Sequence, residues 1–486
     1  MSQNDLASIA PLLIVMLAGC TVLLAEAFRK PEDEMPLGGH GTLAVIGLIG
    51  AIVASVMRQW GSPSHDFLGF GVIIVDNYTV FFNVTICAIG ILTVLLSSGA
   101  AHRDGLPLGE YYALMLFSIV GMMLMGATRD LLVIFLALEI LSLGVYVLTG
   151  IKRTSEAGAE AAFKYFVLGG FSSAFFLYGI ALTYASTGTT KLDELGMMIA
   201  RTANEPSMLL ILGMVMLLVG FAFKVSAVPF HMWTPDAYEG APTLVTGFMS
   251  TGVKAAAFAA FVRVFLWALQ PLHVQWAPVL SAIAGLTMIL GTVVGVAQSS
   301  VKRMLAYSSI AHAGYLLVGL VAANKAGKAA ILFYLAAYAV TNLGAFGVLA
   351  SLSTPERPHD NVRDFAGLWN EKPGLAALLT IFLLSLGGFP PTVGFVAKWY
   401  IFSAALQQNL IGLAILGVLT SVVSVFFYLR VVVMMYMVDE KDPMPRPHVP
   451  RVAFVGMLLA LAGVFYLGLL PGQLLNIAAN SVASIF

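Results

Sequence analysis

Charge is what this chain has least of. Only 10% of its 486 residues are Asp, Glu, Lys or Arg, where a soluble globular domain carries about 25%, and 25 basic residues balance 25 acidic ones. With no net charge and no polybasic run, nothing in the composition points to nucleic acid or to strong attraction for anionic lipid. Cysteine is nearly absent as well. Cys20 and Cys87 both lie in apolar runs, too few for a zinc site, an iron–sulfur centre or a disulfide framework. No Gly-x-Gly-x-x-Gly turn follows a strand and no P-loop occurs, so no motif marks a nicotinamide or ATP site. The expectation is a chain with no cofactor and no metal of its own.

What the chain has in abundance is hydrocarbon. A hydrophobic fraction of 59% and a mean hydropathy of +0.91 imply an all-α polytopic membrane protein. Runs of roughly 20 apolar residues, about 30 Å of helix, suffice to cross a bilayer core. Fourteen such spans are expected, at approximately 5–28, 40–58, 77–98, 109–127, 131–150, 162–186, 207–230, 243–267, 275–298, 304–323, 328–353, 373–405, 409–437 and 451–472. The first run has no basic residue before it and is too long for a signal-peptide core, so it is expected to be retained. Loops after odd-numbered spans hold thirteen basic residues, Arg29, Lys30, Arg103, Lys152, Arg153, Lys302, Arg303, Arg357, Arg363, Lys372, Lys441, Arg446 and Arg451, against six after even-numbered ones. Lys and Arg favour the cytoplasmic side, which puts both termini on the periplasmic side.

Four charged residues stand where hydrocarbon is expected: Glu139 in the fifth span, Lys224 in the seventh, Lys254 in the eighth and Lys398 in the twelfth. Burying each in a bilayer costs roughly 2.5–3.5 kcal/mol by insertion scales, so four accidents are improbable, and they read as stations for a moving proton or cation. A fixed ion pair gluing helices, or lysines snorkelling to an interface, is the bland alternative. His231 and His312 have the ordinary imidazole range near 6.5 and could relay protons or simply sit satisfied in a core. Lys164, at the edge of the sixth span, is a further possible relay that more often snorkels. Arg263 and Arg430 stay charged and cannot pass a proton on.

The seventh and twelfth spans are each interrupted by proline, at Pro229 and at Pro390 and Pro391, where lost backbone hydrogen bonds favour unwinding and an ion or water site. The breaks lie five spans apart. An odd number of helices per unit turns the second copy upside down, which suggests two inverted five-helix repeats, spans 4–8 and 9–13. The corresponding domains are an amino-terminal three-helix segment, 1–105, the first repeat, 106–270, the second, 271–440, and a carboxy-terminal helix, 441–486.

The segments KVSAVPFHMWTPDAYEGAPT at 224–243, VKRMLAYSSIAHAGYL at 301–316 and GGFPPTVGFVAKWY at 387–400, with Glu139, resemble the antiporter-like membrane subunits of respiratory complex I over essentially the whole chain. No long carboxy-terminal lateral helix follows, unlike subunit L, and Lys398 stands where subunit M typically carries a glutamate, so subunit N is the better match. The resemblance implies that Glu139, Lys224, Lys254 and Lys398 are the proton-channel residues. It also implies a bacterial inner-membrane protein that translocates protons within an NADH:quinone oxidoreductase. The partners would be the other membrane subunits of complex I, the lipid bilayer, water and protons, with NADH, FMN, iron–sulfur clusters and quinone on other subunits. A subunit of a multi-subunit sodium/proton antiporter is the alternative, and a membrane scaffold with idle charges is a third.

Overall fold

In a computed structural model of the chain, residues 3–28, 39–61, 65–66, 71–202, 205–354, 360–439 and 449–485 are described. Arg29, Lys30, Arg357, Lys441 and Arg446, five of the basic residues behind the expected orientation, lie outside the described residues. Among the described residues the regular structure is helical apart from one minimal antiparallel pair, His65–Asp66 against Ile74–Val75.

The apolar runs become α1 (Gln3–Ala27), α2 (Gly39–Gln59), α3 (Asn77–Ser97), α4 (Leu108–Ala127), α5 (Leu131–Thr149) and α6 (Glu156–Thr187), followed by α7 (Met208–Lys224) and α8 (Thr243–Ala268). Then come α9 (His273–Val296), α10 (Val301–Ala322), α11 (Lys325–Leu352), α12 (Pro373–Gly387), α13 (Ile411–Met437) and α14 (Arg451–Leu469). Twelve of these are long and apolar enough to cross a membrane by length and composition; α7 and α12 are shorter apolar helices.

Local chemistry sets the starts. Asp130 caps α5 through the amides of Leu132 and Val133, Ser155 caps α6, and Asn324 caps α11, each side chain taking an otherwise orphaned amide. The polar caps explain why α6 begins six residues, and α11 three residues, before the apolar runs suggest.

The seventh span is not one helix to residue 230. It stops at Lys224, where Ser226 turns left-handed at φ 66° and the Ala227 amide reaches back to the Ala222 carbonyl. The twelfth stops at Gly387 in the same manner, with Gly388 at φ 87° and the Phe389 amide on the Leu384 carbonyl. This closure satisfies the last carbonyls of a helix. The helices therefore end before their prolines, and Pro229, Pro390 and Pro391 occupy the connecting turns. The chain resumes as helix at Trp233–Gly240 and at Val393–Gln407. Gly394 is needed there: a Cβ on it would lie 1.8 Å from the Ser385 carbonyl oxygen.

The centre of the bundle is α8, α10 and α11, whose apolar windows are 100%, 94% and 89% buried, against 28% for α1 and α14. Along α8 two wide π-helical turns, Met249–Val253 and Val264–Ala268, flank a regular stretch that opens on Lys254.

Candidate proton-transfer file

The interior charges sit on the central helices and the two breaks, and each is held by oxygen. Lys224, the last residue of α7, is 4% exposed. Its ammonium donates to Ser142 Oγ at 2.7 Å and lies 5.6 Å and 5.7 Å from the ring centroids of Tyr146 and Tyr165. Ser142 in turn donates to the Leu138 carbonyl. One turn earlier on α5 is Glu139, half-buried, whose carboxylate accepts from Ser173 of α6. A hollow lined by Leu138, Ser172, Ser173 and Lys224 runs between α5, α6 and α7. Glu139, held by the Ser173 that lines this hollow, and Lys224 act on each other electrostatically without forming a direct ion pair, and the Ser142 hydroxyl takes the ammonium instead.

Lys254 is 2% exposed. It donates to Ser309 twice, to the carbonyl at 2.5 Å and to Oγ at 2.6 Å, and stands 5.3 Å from the Tyr338 ring centroid. His312 lies one turn beyond Ser309 on α10, 4% exposed, with Nδ1 2.6 Å from the Tyr334 hydroxyl. Its ring packs against both Tyr338 and Tyr315. Tyr315 is also the ring beneath Lys398, at 5.2 Å, so His312 stands between the aromatic neighbours of two lysines.

Lys398 is 5% exposed. Its ammonium caps the end of α12, donating to the carbonyls of Leu386 at 2.9 Å and Gly387 at 3.1 Å and to Ser421 Oγ at 2.8 Å. A cation on the exposed carbonyls of a helix end is favoured by their aligned dipoles. The surface-anchor alternative for Lys398 does not describe this geometry: the neighbouring Trp399 points outward at 62% exposure, while Lys398 points in.

Two suggested relays lie elsewhere. Lys164 is 43% exposed and pairs with Glu160 at 2.7 Å and Asp236 at 2.9 Å, and Asp236 also pairs with Arg303, making a surface ion network rather than part of the buried file. His231 is half-buried in the turn between α7 and Trp233–Gly240, and among the described residues it bonds to none of the four interior charges. Among the described residues no group of three or more His, Cys, Asp or Glu side chains is placed to hold a metal ion.

Sequence reasoning missed the phenols of Tyr146, Tyr334 and Tyr338 and the serines Ser142 and Ser421 that hold Lys224 and Lys398. It also missed a fully buried pair: Arg263 donates to Asp76 at 2.9 Å and 3.0 Å, to the Gly126 carbonyl at 2.8 Å and to Thr79 at 3.0 Å. The Asp-Asn-Tyr-Thr start of α3 marks Asp76 as a helix cap, but nothing local pairs it with a residue 187 positions away.

Comparison with known proteins follows the same outline. Residues 128–424 match a family model described as NADH:quinone oxidoreductase/Mrp antiporter, transmembrane. The chain is 41% identical to NADH-quinone oxidoreductase subunit N of Trichlorobacter lovleyi over 477 residues, covering 98% of this chain and 97% of that one. Among solved structures it is similar to a chain of respiratory complex I from Thermus thermophilus, with a TM-score of 0.80, 34% identity, and 96% and 99% of the two chains covered. A chain of the Mrp complex from Dietzia shares the fold, with a TM-score of 0.85 at 21% identity over 100% and 98% of the two chains.

Proposed function

Because the chain belongs to the NADH-quinone oxidoreductase subunit N family of antiporter-like complex I membrane subunits, we propose that it translocates protons within that complex, in a bacterial inner membrane. Other subunits oxidise NADH and reduce quinone, and NADH, FMN, the iron–sulfur clusters and quinone belong to them. On this reading residues 106–270 and 271–440 act as two inverted half-channels, with 1–105 and 441–486 packed beside them and both termini periplasmic.

The observation that carries the reading is how the three lysines are held. Each is buried, and its partners are hydroxyls and carbonyls; among the described residues no carboxylate lies within ion-pair distance of any of them. An ammonium so held is not locked by a counter-charge, and the same serine hydroxyls can donate to the neutral amine once the proton has gone. Glu139 supplies the switch. Ionised, it favours the proton on Lys224; protonated or turned away, it releases that hold, and the two sites are coupled.

The proton then moves to Lys254. From there the Ser309 segment, His312 and Tyr334 lead toward Lys398. A phenol or hydroxyl in such a file accepts a proton on its oxygen as it donates its own, so it conducts without ionising. Lys398 is the terminal station, its charge held by the end of α12.

Glu139→Gln tests this in inverted membrane vesicles. Assembly and NADH reduction of ferricyanide should stay normal while proton pumping per electron falls sharply. Wild-type pumping in that variant refutes the assignment. Sodium-dependent exchange by the chain without NADH would favour the antiporter reading instead.

A further inference from the structure

Glu139 and Lys224 act on each other without joining, and two hydroxyls stand where a joined pair would have to form. Ser142 lies three residues after Glu139, on the same face of α5, and takes the Lys224 ammonium at 2.7 Å. From the opposite side, Ser173 of α6 donates its hydroxyl to the Glu139 carboxylate. Ser142 and Lys224 are buried, whereas Glu139 and Ser173 are half-buried. One hydroxyl thus holds the amine on the inner side and the other holds the acid farther out.

Close helix packing is what brings Ser173 to the acid. A Cβ on Gly169, one turn before Ser173, would lie 2.0 Å from the Tyr146 hydroxyl of α5, and a Cβ on Gly179 would lie 2.8 Å from the Leu217 amide nitrogen of α7. Small residues let membrane helices approach in this way, and only at such an approach does so short a side chain span from α6 to a carboxylate on α5.

The balance of forces gives that contact a consequence. Opposite unit charges a few ångströms apart in a protein attract about as strongly as one or two hydrogen bonds to charged groups. Two hydroxyls, one on each partner, therefore offset the pull. One alone does not.

We propose that Ser173 is a positioning residue that holds the Glu139 carboxylate away from Lys224 and so keeps the pair near balance between a joined and a parted state. Ser173 exchanges no proton in this role. When its hydroxyl lets go, the carboxylate turns onto Lys224 and the ammonium keeps its proton; when it takes hold again, the amine passes the proton on. The role in pumping rests on the proton-translocation reading; the position of the carboxylate does not.

Ser173→Ala and Ser173→Thr in the assembled complex, compared at equal ferricyanide reduction, test this. In Ser173→Ala the carboxylate joins Lys224, so pumping near pH 7 should slow about tenfold, on the order of one hydrogen bond to a charged group. Lys224 then holds its proton more tightly, and the pH of fastest pumping should move up by about one unit. Tyr146 and Tyr165, the other titratable groups facing this ammonium, are unchanged in both variants. Ser173→Thr restores a hydroxyl and should return the rate and the pH profile to wild type. A high-resolution map of the Ser173→Ala complex should show the carboxylate within ion-pair distance of Lys224 Nζ. Should Ser173→Ala not assemble, Ser173→Cys, a near-isostere with only a weak donor, should show part of the same shifts, and no shift there overturns the proposal. A wild-type rate and pH profile in assembled Ser173→Ala overturns it even where Glu139→Gln abolishes pumping. If Glu139→Gln pumps normally while the map shows the joined pair, the position stands and the proton-translocation reading falls.

Discussion

Removing the Asp76 carboxylate should cost the subunit a large part of its stability. Asp76 and Arg263 have side chains that are both 0% exposed, so neither has water to fall back on. Asp76 accepts two bonds from Arg263 and, through the same Oδ1, the Thr79 amide at 2.7 Å that caps α3. Arg129 stands 4.0 Å away as a second cation. In Asp76→Ala the guanidinium keeps only the Gly126 carbonyl and Thr79 hydroxyl, with its charge uncompensated. Breaking a buried pair from one side costs about 3–5 kcal/mol, and losing the cap adds about 1 kcal/mol. That sum rivals the whole stability of many domains, about 5–15 kcal/mol. The assay is the thermal midpoint of the purified complex, together with the amount of assembled complex on a native gel. Asp76→Ala should assemble poorly or melt early. The double variant Asp76→Asn with Arg263→Met should recover part of the loss, because neutral replacements of both partners leave no stranded charge in the pair. Wild-type abundance and midpoint in Asp76→Ala would refute the reasoning.

Gly394→Ala should disrupt the second break, since the new methyl would meet the Ser385 carbonyl at 1.8 Å and backbone there cannot yield cheaply; the expected loss is at least about 1–3 kcal/mol, seen as reduced assembly, and normal assembly would count against the packing described. Tyr334→Phe removes the hydroxyl on His312 Nδ1 and should slow pumping about fivefold, the worth of one hydrogen bond, with assembly unchanged; equal pumping would take His312 out of the path. Asp104 offers a pH test. Burial raises its carboxyl above the ordinary range, only partly opposed by Arg103, Lys152 and Lys302. A raised folded value means that ionisation opposes folding, a penalty absent below the unfolded value of about 3.9 and growing as pH rises above it. Asp104→Asn should therefore melt no lower than wild type near pH 7, with any advantage shrinking in acid; a lower midpoint near pH 7 contradicts the sign.

Much of this architecture was legible in residues alone. Apolar runs located the helices because a bilayer demands length and hydrophobicity together. Pro229, Pro390 and Pro391 marked the breaks, although the left-handed turns at Ser226 and Gly388 end the helices first. The charges at Glu139, Lys224, Lys254 and Lys398 stood out against hydrocarbon, and the structure buries all three lysines. Their partners did not stand out. Ser142, Ser309 and Ser421 are ordinary serines in apolar helices, and only the tertiary fold, which brings α5 to Lys224 of α7, α10 to Lys254 of α8 and α13 to Lys398 of the Val393–Gln407 helix, makes them ligands for an ammonium. Asp76 and Arg263 belong to helices far apart in sequence. Lys164 reads much like Lys224 along the chain, yet one reaches a surface carboxylate and the other a buried hydroxyl, a distinction made by helix rotation rather than by composition.

The most direct test of proton carriage by these amines is Lys254→Arg, measured as protons pumped per electron in the assembled, reconstituted complex. Arginine keeps the positive charge beside Ser309 and Tyr338 but does not release a proton at accessible pH. If Lys254 is a carrier, Lys254→Arg should lose pumping as fully as Lys254→Met while ferricyanide reduction continues in both. Wild-type pumping in Lys254→Arg would mean that the site needs only a fixed charge, contradicting proton transfer through it.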